Sequence, residues 1–155
     1  MAGHVAAQTS DRPYASIPHT FGDLVDYDRK LIQTEGVPVV AGLPADTLCL
    51  ISAVRLATTA AANPPQRDRS RRLYVQFGGN WKPTPMTENG PRGKDILSIC
   101  DPYLRADGFK DALSDALETP GSFFIRDFTG NVLQVYAPQR RIAASIRLAQ
   151  RKRGQ

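Results

Sequence analysis

Histidine, cysteine and tryptophan are scarce in this chain: two, two and one in 155 residues. Both histidines, His4 and His19, lie near the N-terminus. A His-based triad or metal site would have to be built from that segment, and no nucleophile elbow accompanies it. Cys49 and Cys100 sit in apolar contexts, Leu48-Cys49-Leu50-Ile51 and Ile99-Cys100. Cys-Cys and Cys-His pairs at ligand spacing are absent, which excludes a zinc-finger type of site. The apolar neighbours predict buried free thiols. No apolar run approaches the roughly 18 residues of a membrane span. No basic segment followed by an apolar block opens the chain. The expectation is a cytoplasmic protein with no membrane partner, no metal and no cofactor.

What is present is positive charge, unevenly placed. Residues 1–63 carry four Lys/Arg against six Asp/Glu, a net of −2, whereas residues 64–155 carry sixteen against nine, a net of +7. Arg67, Arg69, Arg71 and Arg72 form one cluster; Arg140, Arg141, Arg147, Arg151, Lys152 and Arg153 form another. A field of that sign favours a polyanion or an acidic protein surface.

The length fits one domain. Residues 1–18 are short of large apolar side chains and read as a flexible N-terminal arm. Residues 19–155 read as a single α+β domain. Phe21, Leu24, Val25, Leu31 and Ile32 predict a helix over 21–35, with Thr20 as N-cap and Gly36 as its stop. Val37 to Leu43 reads as a brief strand. Thr47 to Ala62, opened by Asp46 and apolar on nearly every side, predicts a central helix. Leu73 to Phe77 alternates and predicts a strand. Residues 78–93 form a long Gly/Pro-rich loop. Residues 95–103 fit helix or strand equally. Phe109, Leu113, Ala116 and Leu117 predict a helix over 106–118, with Asp107 as a candidate cap. Residues 122–136 predict a β-hairpin around Gly130-Asn131. Pro138 to about Lys152 predicts a basic helix, on which Arg140, Arg147 and Arg151 share a face. The expected fold is a small, mostly antiparallel sheet of three or four strands packed by helices, with a C-terminal hairpin followed by a basic helix.

The expected function is non-catalytic: an accessory or regulatory protein that binds DNA or RNA. Arginine forks pair with phosphate and stack on bases. Trp81, Lys82, Arg92 and Lys94 add an aromatic and cations in one loop, a pairing that single strands favour. The contact surface would comprise these four and the two arginine clusters. The alternative is a protein-interaction module, such as an inhibitor, an immunity-type protein or an assembly subunit, docking on an acidic partner. Gly78-Gly79-Asn80 and Gly90-Pro91-Arg92-Gly93-Lys94-Asp95 lack phosphate-loop spacing. Asp26, Asp28 and Glu35 read as a solvated face. Asp101, Asp107 and Asp111 near Lys110 are the acids closest in sequence to a nuclease-like set.

Residues 123–135, Phe-Phe-Ile-Arg-Asp-Phe-Thr-Gly-Asn-Val-Leu-Gln-Val, resemble the closing hairpin of the glyoxalase/dioxygenase (vicinal oxygen chelate) superfamily. That hairpin ends in a metal-ligating Glu, and the resemblance would place the ligand at Gln134. Gln134 and Phe128 depart from the pattern's Glu and Pro, and the paired βαβββ repeats are not visible. The likeness reads as shared hairpin chemistry.

Overall fold

The structure, a computed structural model, describes residues 15–38, 42–66, 77–86 and 95–150. Six strands form one antiparallel sheet. They are β1 (Tyr27–Gly36), β2 (Thr47–Leu56), β3 (Lys82–Pro83), β4 (Phe123–Arg126), β5 (Val132–Ala137) and β6 (Ile142–Gln150), in the order β1-β2-β6-β5-β4-β3. The described helices are few and short: α1 (Ile17–Phe21), α2 (Ile96–Ile99) and α3 (Phe109–Glu118), with 3₁₀ turns at Asp101–Tyr103, Ala106–Gly108 and Pro138–Arg140. The expected small sheet under a helical cover is therefore overturned.

Two central strands account for most of the difference. The segment read as the strongest helix is β2, and the segment read as a basic helix is β6. Both lie inside the sheet and pair with neighbours on each side. A strand buried on both faces shows no apolar–polar alternation, so its sequence mimics a buried helix. Leu50, Ile51, Ala53, Val54 and Leu56 are all buried on β2, three facing one side and two the other. Of the expected helix 21–35 only Phe21 is helical, as the last residue of α1, which Ser16 rather than Thr20 caps; residues 27–35 belong to β1. Gly36 does not stop a helix. It lies in β1 because the Tyr103 ring leaves no room for a Cβ there.

Other expectations hold. Phe109–Glu118 is helical, its apolar stripe of Phe109, Leu113, Ala116 and Leu117 facing the sheet. Asp107 does not cap it; Gly108 occupies that position. The hairpin forms from β4 and β5. Its turn is held by Asp127, whose carboxylate accepts from the backbone N–H groups of Asn131 (2.9 Å) and Val132 (3.1 Å) and from the Thr129 hydroxyl (2.6 Å). Gly130 takes a positive φ of 78° in that turn. Residues 95–103 form α2 and a 3₁₀ turn. The expected strand 37–43 is not formed at 37, 38, 42 or 43, which lie outside the sheet, and 39–41 lie outside the described residues. Of the expected strand 73–77 only Phe77 lies within the described residues; of the N-terminal arm only 15–18 do, and Ala15 and Ile17 are buried.

The sheet has a core on each face. On one, α2, α3 and their connecting turns pack against Cys49, Ile51, Ala53, Leu133, Val135, Ala144 and Ile146. On the other, α1, Phe77 and Trp81 pack against Val54, Leu56, Tyr136 and Ala143. Burial of each large side chain contributes about 1.5–3 kcal/mol. The small residues Ala143, Ala144 and Ser145 on β6 allow these covers to approach the sheet closely. Cys49 and Cys100 are buried as expected, but they are joined in a disulfide and not free. The bond ties the C-terminal end of α2 to β2.

Candidate functional site

The face covered by α1 and residues 77–81 carries a polar row. Gln33, Ser52, Ser145 and Gln134 lie side by side across β1, β2, β6 and β5. Ser52, Ser145 and Gln134 are buried and Gln33, at the outer end, is exposed. Buried polar groups need partners, and overlying chain supplies them to Ser52 and Gln134. The Gln33 side-chain oxygen accepts from the Ile17 N–H (3.1 Å). The Ser52 hydroxyl donates to the Ala15 carbonyl (2.6 Å) and accepts from Thr20 (3.1 Å). The Gln134 side-chain oxygen accepts from the Gly78 N–H (2.8 Å). Gln134, the position that the hairpin resemblance would make a metal ligand, is therefore a backbone clamp. Among the described residues no group of three or more His, Cys, Asp or Glu side chains is placed to hold a metal ion.

Beside this row, residues 22–27 and 59–65 border an open cleft of about 680 Å³ with Tyr136 at its base. The Tyr136 hydroxyl donates to the Ala61 carbonyl (2.5 Å), and Asp26 holds the Thr59 hydroxyl. Burial, and secondarily the Asp26 charge, push the Tyr136 pKa upward. Asp23 and Asp26 line the cleft, and among the described residues no Lys or Arg does.

Of the predicted contact residues, Trp81, Lys82, Arg140, Arg141 and Arg147 lie within the described residues, and the structure places them apart. Trp81 is half-buried. Its indole N–H donates to the Pro65 carbonyl (2.7 Å), and its ring lies 5.2 Å from Phe77 and 6.4 Å from Tyr136, centroid to centroid. It packs the second core. Lys82 is exposed on the edge strand β3. Arg140 pairs with Asp115 (2.7 Å) and donates to Thr119 on the α3 side. Arg141, at a positive φ of 56°, donates to the Leu56 carbonyl (2.9 Å) and pairs with Asp28 (2.7 Å). Arg147 is half-buried on β6 opposite Leu50 and Val132, and its charge adds to burial in lowering the His19 pKa. Arg140 ends a 3₁₀ turn and Arg147 lies on the strand β6, so the helical face expected to join Arg140 and Arg147 does not exist. Arg67, Arg69, Arg71, Arg72, Arg92, Lys94, Arg151, Lys152 and Arg153 lie outside the described residues. Asp101, the centre of the nuclease-like set, is bound by Lys110 and Arg105, and these hydrogen bonds hold its pKa below the usual range.

Two features had no signal in the sequence. One is the acidic cleft, assembled from three distant segments. The other is Phe128, 83% exposed at the tip of the Asp127-braced turn.

No helix is long and apolar enough to cross a membrane among the described residues. Comparison with protein-family models, curated proteins and solved structures finds no match.

Proposed function

We propose that this chain is a non-catalytic nucleic-acid-binding protein whose contacts come from the arginine-rich segments 67–72, 92–94 and 151–153. The observation that supports this reading is the uneven charge of the sequence: residues 64–155 carry sixteen Lys/Arg against nine Asp/Glu, and the arginines cluster at 67–72 and 140–153. Among the described residues Arg55, Arg105, Arg140 and Arg141 are engaged within the chain by hydrogen bonds or ion pairs. Phosphate neutralisation by such segments yields affinity that falls steeply with salt. In this reading Trp81 supports the protein and does not stack on a base.

The partner reading retains one specific support. Phe128 is a large exposed aromatic on a braced turn, and aromatic anchors are favoured at protein interfaces. The disulfide bears on location. Such bonds persist in oxidising compartments and are rare in the cytosol, so Cys49–Cys100 favours an oxidising compartment over the expected cytoplasm.

The test is fluorescence anisotropy with labelled single- and double-stranded DNA and RNA across a salt series. Substitution of Arg67, Arg69, Arg71 and Arg72 by Ala removes affinity and flattens the salt slope while the melting temperature holds. Phe128→Ser leaves nucleic-acid affinity unchanged. Affinity that ignores the arginines would remove the reading, and loss of a captured protein partner on Phe128→Ser would favour the second.

A further inference from the structure

Strand β1 is the outer strand of the sheet, and its outward edge has no strand beside it among the described residues. An open edge presents unpaired N–H and C=O groups to another chain. Of the charges on β1, Asp28 is taken by Arg141. Among the described residues no ion pair holds Arg29, Lys30 or Glu35.

We propose that two copies of this chain pair antiparallel through β1 about a two-fold axis at Gln33, joining their sheets. The register follows from which face each side chain takes. Ile32 and Thr34 sit opposite Ala53 and Ile51, on the face that α2 and α3 cover. Lys30, Gln33 and Glu35 sit opposite Val54, Ser52 and Leu50, on the other face. Facing residues in a continuous sheet must share a face. Pairing about Gln33 sets Ile32 against the partner's Thr34, and the faces agree. Leu31 is already displaced from the β1–β2 register by a bulge. Passing over it on the outer side sets Lys30 against the partner's Glu35, again with faces agreeing. The symmetry axis repeats the contact, so two opposite-charge pairs form and no like charges oppose. A register centred on Ile32, with Leu31 again passed over, sets Lys30 against the partner's Gln33 with faces agreeing but forms neither ion pair, so charge selects the register on Gln33. Isologous two-fold pairing of this type is the commonest mode of self-association.

Bulges and charges also guard exposed edges against pairing, and the experiment separates the two roles. Sedimentation velocity of the full chain up to about 100 μM should show a concentration-dependent dimer. Glu35→Lys opposes like charges at both symmetric positions and should weaken the dimer about tenfold. The double variant Lys30→Glu/Glu35→Lys should restore it. Both positions are exposed, and circular dichroism melting checks that each variant is folded. A monomer at every concentration, a dimer indifferent to Glu35→Lys, or a folded double variant that fails to recover would each overturn the proposal.

Discussion

Removing the Cys49–Cys100 bond gives the most quantitative check on the fold. The two residues are 51 positions apart, and the bond spans β2 and the end of α2. Cross-linking a loop of this length removes about 14 cal/mol/K from the unfolded chain, or about 4 kcal/mol at 25 °C. Both side chains are fully buried, so Cys49→Ala/Cys100→Ala adds a small packing loss in the same direction. With a urea m-value of about 2 kcal/mol/M, the midpoint should fall by about 2 M. The melting temperature should fall by roughly 8–16 °C. The assay is urea unfolding followed by circular dichroism, run on the variant and on oxidised and reduced wild type. Thiol titration must be done in denaturant, because buried thiols escape reagent in the folded protein whether paired or not. Two titratable thiols in unreduced, denatured protein would refute the pairing. A loss under about 1 kcal/mol would refute the chain-entropy argument.

Four further substitutions test individual contacts of the fold. Gln134→Leu leaves the buried Gly78 N–H without its acceptor and should cost about 1–3 kcal/mol in chemical denaturation. His19 is held below its ordinary pKa by burial and then by Arg147. The unfolded chain therefore binds the proton first, and stability should be full above pH 6.5 and decline as pH falls through that value. His19→Gln should flatten that limb of the pH–stability curve, and Arg147→Gln should raise the His19 pKa seen by NMR titration. Arg141→Ala, which loses both the Leu56 carbonyl and Asp28, should lower stability by about 1–2 kcal/mol while leaving nucleic-acid affinity unchanged in anisotropy.

The parts of the fold that were legible in the sequence are those set by local chemistry. The hairpin depends on two β runs around Asp127 to Asn131, and α3 on a four-residue apolar spacing closed by Pro120-Gly121. Strands β2 and β6 were not legible because they are buried on both faces, and their alanines and leucines suit a helix equally well. The spacing of Arg140 and Arg147 therefore suggested a shared helical face. Arg140 belongs to the turn before β6 and pairs with Asp115 on α3, whereas Arg147 lies within the strand. The disulfide could not be read either: Cys49 and Cys100 meet only because α2 crosses the face of β2. Trp81 stood out as a lone aromatic in a loop. Its burial comes from Phe77 and Tyr136, which the sequence does not connect to it.

The reading stands on nucleic-acid binding by the arginine-rich segments 67–72, 92–94 and 151–153. The direct measurement is anisotropy of labelled single- and double-stranded DNA and RNA at physiological salt, comparing wild type with the Arg67/Arg69/Arg71/Arg72→Ala variant. The account predicts wild-type binding tighter than about 1 μM, beyond the range of non-specific binding, and its loss in a variant that melts normally. Wild-type binding that vanishes at physiological salt, or a variant that binds as tightly, would contradict it.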